Sequence, residues 1–318
     1  MISSSSLALL ALPLLASAQK CTIQFDGRVP STFTAASFDT NNNVFNPSNV
    51  FGQGLKFSEI VQLPAVSGSL FDVNTVPAEV TIRSAQPLSS LPSVPFAYMP
   101  VLETPSATAQ PASDDKSIFA PSADNVQTGF RRAELLPASN SGTDPSTQGV
   151  KTLHFSVMQD AQRPLNLSHE YQLVFLESND FSTNQLVLKT GTVLGQTGGT
   201  PSDLQLFGNV NANPPQVLFS TPFTPGVFNN FAVTLDFNKL TSQVFFSTGT
   251  SALKQVTQPL ANDVSGQGQF HFGVLKKPVN AGADIVHSGF QESGINEGVI
   301  FGGIFEEDSS TGCVSLSP

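Results

Sequence analysis

Two glutamates occupy positions where a carboxyl group could do chemistry, and Glu134 is the first. It closes residues 127–134 (QTGFRRAE), two positions after Arg132. If this segment is a β-strand, Arg132 and Glu134 project from the same face, because strand side chains alternate. A neighbouring guanidinium lowers the pKa of a carboxyl group and keeps it ionised. The alternative is a structural ion pair on a sheet surface.

Glu177 is the second candidate, at the end of the apolar stretch 171–177 (YQLVFLE). Strand alternation places it on the face of Leu173 and Phe175, where partial desolvation would raise its pKa and suit a general acid. The alternative is a strand-end glutamate that faces water. Glu170 stands just before the same stretch, and we interpret it as a structural turn residue.

A pair of carboxyl groups is what cleavage of a glycosidic bond requires, one as acid and one as base or nucleophile. A polar, glycine-punctuated cluster at residues 287–298 (HSGFQESGINEG) supplies further groups able to bind sugar hydroxyls, including His287 and Gln291. The alternative for this cluster is a loop whose side chains bond its own backbone. His271 alternates with the phenylalanines of its strand, and we expect it to face solvent rather than line a cleft.

Several other kinds of chemistry find no support in the sequence. The motifs of α/β-hydrolases, zinc proteases and P-loop proteins are absent. The four histidines (His154, His169, His271 and His287) lack metal-ligand spacing, so we expect neither a metal nor a cofactor. The net charge of −10 and the lack of basic runs disfavour binding to nucleic acid or anionic membranes.

The surrounding sequence favours an all-β protein. Apolar residues alternate with polar or small ones along residues 153–158, 231–237 and 269–274, whereas residues 171–177 and 299–305 are apolar on both faces, as in central strands. Scattered proline and glycine interrupt most windows long enough for a helix. We therefore expect a β-sandwich or jelly roll, its core built from the 26 phenylalanines.

The ends of the chain indicate export. Residues 1–18 have the apolar run and the Ala-Ser-Ala cleavage site of a signal peptide, so we expect an extracellular protein. Cys21 and Cys313 are the two cysteines, and an end-to-end disulfide would hold residues 19–318 as one compact domain and monomer. Asn166 begins a glycosylation sequon. Residues 84–123, rich in Pro, Ser and Ala, are expected to be a long loop or insertion.

Several long motifs, in order, resemble glycoside hydrolase family 131, a fungal group that acts on β-glucans. The resemblance covers nearly all of the chain after the signal peptide. It is carried by residues 21–30 (CTIQFDGRVP), 127–134 (QTGFRRAE), 149–156 (GVKTLHFS), 163–171 (RPLNLSHEY), 272–278 (FGVLKKP), 289–298 (GFQESGINEG) and 302–308 (GGIFEED).

This resemblance implies a jelly-roll β-sandwich with a cleft on its concave face. It also implies hydrolysis of β-1,3-, β-1,6- and β-1,4-glucans by two glutamates and a histidine in that cleft. The first glutamate maps to Glu134 and the second to Glu177, with Glu170 as the fallback; the histidine maps to His287. We expect Arg132, Gln291 and Glu170 to position substrate. The chain departs from the family in having no tryptophan, and Phe175-Leu176 precedes Glu177 where family members have Trp-His.

Three classes of function follow from these observations. The leading hypothesis is a secreted β-glucanase whose partner is a β-glucan chain. The second is a glucan-binding protein that has lost catalysis, which the missing tryptophans motivate. The third is a secreted wall-structural or host-interacting protein, which would be expected to carry repeats or low-complexity stalks.

Overall fold

The structure, a computed structural model, describes residues 21–40, 44–46, 55–84, 115, 117–122, 124–137 and 144–318. The predicted signal peptide at residues 1–18 lies outside the described residues. So does most of the predicted loop at 84–123, of which residues 84, 115 and 117–122 are described. The stretch 117–122 ends in a short strand that forms a two-stranded ribbon.

Strands dominate the described chain, which confirms the all-β prediction. Among the described residues, helical structure is confined to the short helix α1 (Phe57–Ile60) and two 3₁₀ turns at Ala35–Asp39 and Pro145–Thr147. In chain order the strands are β1 (Thr22–Asp26), β2 (Val29–Pro30), β3 (Val61–Gln62), β4 (Thr75–Val76), β5 (Ala78–Arg83), β6 (Phe119–Ser122), β7 (Asn125–Gln127), β8 (Arg131–Leu135), β9 (Val150–Gln159), β10 (Glu170–Glu177), β11 (Asn184–Gly191), β12 (Asp203–Phe207), β13 (Val217–Pro222), β14 (Asn229–Asp236), β15 (Thr241–Thr248), β16 (Lys254–Gln255), β17 (Leu260–Ala261), β18 (Gln269–Lys276) and β19 (Asn296–Asp308).

Two antiparallel sheets form a sandwich. The first, here called the large sheet, has the order β16-β15-β14-β9-β19-β5-β3, with β1 beside β19 and β17 beside β15. The second, the site sheet, has the order β13-β12-β11-β10-β18-β8. Two short ribbons, β2-β4 and β6-β7, complete the pairing. The apolar segments predicted to be central, β10 and β19, each have strands on both sides.

The core lies between the two sheets, and the predicted alternation selects which side chains enter it. Phe155 of β9, Phe231 of β14 and Phe272 of β18 are buried in one cluster, and Phe155 stacks on Phe231 with ring centroids 5.1 Å apart. Their neighbours in sequence, such as His271, project from the opposite face. Burying an aromatic or aliphatic side chain contributes roughly 1.5–3 kcal/mol, so this alternation orients each strand.

A register irregularity in β10 changes which of its residues share a face. Gln172 pairs with Leu275 of β18, whereas Val174 pairs with Phe272, so the register shifts between these two positions. Leu173 consequently belongs to the main core, while Phe175 belongs to a separate apolar cluster on the outer face of the site sheet. The expectation that Leu173, Phe175 and Glu177 share one face is therefore wrong for Leu173, because a bulge interrupts the period of two.

The two cysteines form the expected disulfide. Cys21 and Cys313 are 292 positions apart in sequence, and their Cα atoms lie 5.7 Å apart. The bond joins the residue before β1 to the segment after β19. Within the described part of the chain, no helix is long and apolar enough to span a membrane.

Candidate active site

Glu134 lies on β8, at the edge of the site sheet, in a fully enclosed ion pair. Arg132 Nε donates to Glu134 Oε1 at 2.8 Å, and Arg132 Nη2 donates to Oε2 at 2.9 Å. The Glu134 side chain has no exposed surface. The Arg132 guanidinium also lies over the ring of Phe119, 4.6 Å from its centroid. This two-pronged contact fixes the orientation of the carboxylate.

The neighbouring strand, β18, brings an imidazole to the same carboxylate. His271 Nδ1 lies 2.8 Å from Glu134 Oε2. Gly273 of β18 pairs with Glu134, and a Cβ atom there would lie 2.6 Å from the Glu134 Cα atom and 2.9 Å from its Cγ atom. A side chain at position 273 would therefore displace Glu134, so glycine keeps the room that the Glu134–His271 contact needs.

Glu177 approaches the other side of the imidazole from β10. Its Oε2 lies 3.5 Å from His271 Nε2, within ion-pair distance, although Nε2 forms no hydrogen bond with a described residue. Phe175, two residues earlier, stacks on the His271 ring with centroids 4.3 Å apart and planes 13° apart. A quarter of the Glu177 side chain is exposed, whereas Glu134 is enclosed. Among these three ionisable groups, Glu177 is thus the one that reaches solvent.

The backbone around Glu177 leaves no room for a side chain on the neighbouring turn. Gly268, just before β18, has a φ of +111°, and a Cβ atom there would lie 1.7 Å from the Glu177 carbonyl oxygen. Both the left-handed backbone and the close approach require glycine at this position. The turn that precedes β18 therefore packs directly against the end of β10 and fixes where Glu177 stands.

Electrostatics favour opposite charges on Glu134 and His271. Burial alone would raise the pKa of Glu134, but the charge of Arg132 and the hydrogen bond from His271 together lower it. Burial alone would lower the pKa of His271, but its hydrogen bond to Glu134 and the nearby carboxyl group of Glu177 raise it. An ionised Glu134 beside a readily protonated His271 is the charge state that these contacts stabilise.

Glu134, His271 and Glu177 form a line of three ionisable groups that begins in the protein interior and ends at the solvent-exposed Glu177. Because an ionised Glu134 accepts, His271 Nδ1 carries the donated proton and Nε2 faces Glu177. Such a line can hold a proton near Glu177 and stabilise positive charge beside it. Acid–base chemistry at a substrate on the outer face of the site sheet is what this geometry can perform.

His287 is not part of this line, contrary to the sequence expectation. It is exposed, and its Nδ1 lies 3.0 Å from Asp284 Oδ1 while its carbonyl accepts from Thr128. The loop that carries His287 follows the last residues of β18, whereas Glu177 pairs with Gln269 at the start of β18. The structure therefore brings His271, rather than His287, between the two glutamates.

Gln291 and Glu170, the other expected substrate-binding residues, are buried in structural contacts. Gln291 Nε2 donates to the carbonyls of Gly129 and Lys276, at 2.9 and 3.2 Å, which ties its loop to the start of β8. Glu170 Oε1 lies 2.8 Å from Lys277 Nζ and 3.2 Å from Lys189 Nζ. Glu170 thus stands at the opposite end of β10 from Glu177.

Asn166, the predicted glycosylation site, lies in the exposed turn before β10. Its Nδ2 donates to Glu292 Oε1 at 2.9 Å, and its Oδ1 accepts from the Ser168 hydroxyl at 2.8 Å. The first and third residues of the sequon are therefore hydrogen-bonded to each other at the surface. Asn166 belongs to the Glu292 cluster rather than to the line of Glu134, His271 and Glu177.

His271 is the residue that sequence reasoning placed incorrectly, since it was expected to face solvent. Alternation correctly put it on the face opposite Phe270 and Phe272. It could not show that β8 and β10 flank β18 and add a glutamate on each side. Among the described residues, no group of three or more His, Cys, Asp or Glu side chains is arranged to hold a metal ion.

Comparison with known proteins assigns the chain to a family. The family model for the glycoside hydrolase 131 catalytic N-terminal domain matches residues 23–312. The chain therefore belongs to glycoside hydrolase family 131. A search of curated proteins finds no match.

Two solved structures share its fold over almost their whole length. One is a GH131 β-glucanase catalytic domain from Podospora anserina, with a TM-score of 0.64 and 21% identity over 93% of this chain and 98% of that one. The other is the catalytic domain of the family 131 protein from Coprinopsis cinerea, with a TM-score of 0.61 and the same identity and coverage. At this identity the likeness establishes the β-sandwich fold, in agreement with the all-β prediction.

Proposed function

We propose that this chain is a secreted β-glucanase that hydrolyses β-1,3-, β-1,6- and β-1,4-linked glucans. The observation that carries the proposal is the line from Glu134 through His271 to Glu177, which runs from the interior to an exposed carboxyl group. Family membership and the β-glucanase of the same fold from Podospora anserina support the substrate class. The domain acts as a monomer at residues 19–318 and uses no cofactor.

Glu177 is the proton donor of the proposed reaction. It is the member of the line that a substrate can reach, so it meets the glycosidic oxygen and protonates the leaving group. His271 lies against it and carries the positive charge that its two carboxyl neighbours favour. The imidazolium therefore stabilises the carboxylate that Glu177 becomes once it has given up its proton, and it can return a proton to Glu177 between turnovers.

Glu134 is the ionised partner and acts through His271. Arg132 occupies both of its oxygens and His271 shares one of them, so no face of the carboxylate is open to an anomeric carbon. A covalent sugar intermediate on Glu134 is therefore sterically excluded in this arrangement. Glu134 instead sets the tautomer, orientation and charge of the imidazole, as a buried carboxylate does for a catalytic histidine.

In the proposed reaction, Glu177 gives its proton to the glycosidic oxygen as the bond between that oxygen and the anomeric carbon breaks. A water molecule on the opposite face of the sugar forms the new bond to the anomeric carbon, with inversion, and its proton passes to bulk water because the enclosed Glu134 cannot accept it. Proton NMR of the first product released from a β-glucan should show the α anomer; the β anomer appearing first would contradict direct displacement.

Secretion is the location that best fits the disulfide. A bond between Cys21 and Cys313 forms and persists in oxidising compartments. The apolar segment at residues 7–15, with its small-residue cleavage site, supplies a route to such a compartment. Asn166 is exposed and is proposed to carry a glycan there.

A glucan-binding protein without catalysis is the second candidate, and the absence of tryptophan is what favours it. Sugar rings pack against aromatic faces, so a chain without tryptophan has to rely on phenylalanine and tyrosine. Both glutamates of the proposed pair are nevertheless present and connected through His271. We therefore place the enzyme first.

The test is reducing-sugar release from laminarin, a β-1,6-glucan and a soluble β-1,4-glucan. The wild type should hydrolyse at least one of them, and Glu134→Gln and Glu177→Gln should each lose about 10²–10⁴-fold in kcat. The matched control is Glu307→Gln, which alters a buried glutamate paired with a histidine on the large sheet and should keep its activity. A wild type that retards in a glucan gel yet releases no sugar would favour the binding protein.

A further inference from the structure

An exposed aromatic ring stands four residues beyond Glu177. The turn of residues 178–183 joins β10 to β11, and Phe181 at its tip is 74% exposed. Its φ of +60° lies in the left-handed region, which bulky residues rarely adopt. An apolar ring held in water and on a strained backbone is costly on both counts, so a role at the surface is the physical explanation to seek.

The turn beneath Phe181 is rigidly built, which fixes where the ring is presented. Ser178 donates from its hydroxyl to Asp180 Oδ1 at 2.7 Å, and the backbone N–H of Phe181 donates to the Ser178 carbonyl at 2.8 Å. Asn179 N–H donates to the Gly266 carbonyl, which attaches the turn to the segment before β18. The backbone that carries Phe181 is held by these bonds, so little backbone entropy is lost when the ring binds a ligand.

A polar cavity lies at the same end of the sandwich. It has a volume of about 570 Å³, and its lining includes Asn209, Asn211, Gln216, Leu240 and Asp263. This volume lies in the range of ligand-binding clefts, about 300–1,000 Å³. Amide, carboxylate and ammonium groups beside apolar surface match a sugar, which presents hydroxyl groups at its edge and C–H groups on its faces.

The ring, the cavity and Glu177 lie along one edge of the molecule. Thr183, in the turn of Phe181, donates to Asn209 Oδ1 at 2.9 Å, and Asn209 lines the cavity. Asn209 follows β12, which is two strands from β10 in the site sheet. Neighbouring strands are about 4.8 Å apart, so the cavity begins on the order of 10 Å from the strand of Glu177. One glucan chain can extend over that distance.

We propose that this edge is a second glucan-binding site, in which Phe181 stacks on one glucosyl ring and the cavity holds another. The proposal rests on the β-glucanase function and extends it from the reacting bond to the polymer beyond it. Phe181 supplies an exposed aromatic face for stacking in a chain that has no tryptophan. The second site orients and retains long glucan chains. It contributes no binding energy to oligosaccharides that are too short to reach it from Glu177.

Binding can be measured separately from hydrolysis by affinity electrophoresis in laminarin gels, with every variant built on Glu177→Gln. Phe181→Ala and Phe181→Asn should weaken retardation about five- to tenfold in Kd, as expected for a lost stacking contact. Asn tolerates a positive φ, so it removes the ring without adding strain. Phe181→Trp should retain binding. The double variant Asn211→Ala/Gln216→Ala should also weaken it.

The matched control is Phe290→Ala, which removes a phenylalanine that is 38% exposed beyond the opposite end of β18. It should bind laminarin as the parent does. In the active protein, Phe181→Ala should raise KM for long glucan and leave kcat and the turnover of short oligosaccharides unchanged. Parent-like binding by Phe181→Ala or by the double variant, or an equal loss in Phe290→Ala, would overturn the second site. An active-site failure would instead appear as no hydrolysis by the wild type.

Discussion

His271 and His154 are buried histidines with closely similar surroundings on the two sheets of the sandwich. Each contacts a glutamate, at 2.8 Å for His271 and Glu134 and at 2.9 Å for His154 and Glu307. Each stacks on a phenylalanine, with centroids 4.3 and 4.1 Å apart. A buried histidine–glutamate pair therefore does not by itself define an active site.

The second carboxyl group distinguishes the two regions. His271 has Glu177 on its other nitrogen, and the two glutamates overcome the effect of burial and raise its pKa. Burial lowers the pKa of His154, and Glu307 only partly offsets this. Glu307 is in turn closed off by the backbone and hydroxyl of Ser315, at 2.7 and 2.8 Å. The large-sheet pair is thus a sealed structural contact, whereas the site-sheet pair opens onto solvent through Glu177.

Matched substitutions of the two histidines should show the largest difference, which is a difference in kcat. His271→Gln should lower kcat on the responsive glucan by about 10²–10⁴-fold, since it breaks the connection between Glu134 and Glu177. His154→Gln should keep kcat near the wild-type value and lower the free energy of unfolding by about 1–3 kcal/mol. Steady-state kinetics and urea unfolding on both variants make the comparison. Equal losses of kcat in the two variants would show that both histidine–glutamate pairs are structural, with no direct part in catalysis.

The two arginines near these pairs should differ in how much each stabilises the folded protein. Arg132→Met leaves the enclosed Glu134 carboxylate without its main partner and should cost about 3–5 kcal/mol of unfolding free energy. Arg28, whose guanidinium lies over Phe305 beside His154, pairs with the partly exposed Asp26. Arg28→Met should cost no more than about 1 kcal/mol. Urea unfolding measures the loss of stability in both variants. A larger loss for Arg28→Met would contradict the assignment of Arg132 and Glu134 as the more stabilising ion pair.

The pH dependence of stability should have opposite signs at the two histidines. The folded-state pKa of His271 is raised, so its contribution is complete below its unfolded value of about 6.5 and is lost as pH rises through the folded value. The pKa of His154 is lowered, so the native state loses stability as pH falls below about 6.5. Each pKa unit between the states corresponds to about 1.4 kcal/mol.

Unfolding at pH 5–9 measures this smallest effect. The stability gap between wild type and His271→Gln should narrow as pH rises. The gap between wild type and His154→Gln should instead widen from pH 5 and level off above its unfolded pKa. Parallel profiles for the two variants would mean that the second carboxyl group does not alter how His271 titrates.

Much of the fold was predictable because it depends on local periodicity. The alternation along β9, β14 and β18 gave the correct buried faces, since a period of two is imposed by the geometry of a strand. The bulge in β10 was not predictable, because it arises from how β10 pairs with β18. That shift moved Leu173 into the core and left Phe175 and Glu177 together outside it.

The candidate site was predictable in part for the same reason. Arg132 and Glu134 are two residues apart on one strand, so their contact follows from local geometry. His271 is 137 positions from Glu134 in sequence, and its place depends on strand order, which spacing does not reveal. His287 was favoured by the polar residues that follow it. In the structure His287 pairs with Asp284 of its own loop, whereas Gln291 and Glu292 bind Gly129 and Lys276.

The disulfide between Cys21 and Cys313 makes the fold nearly circular. With Cα atoms 5.7 Å apart, the two positions could be joined by a short peptide, and the order of strands in both sheets would be unchanged. Circular permutation is therefore open to this domain: new ends could be placed in a surface turn such as the one at Gly226, where a left-handed glycine has open space around it. The covalent tie would then run through the backbone, independent of redox conditions.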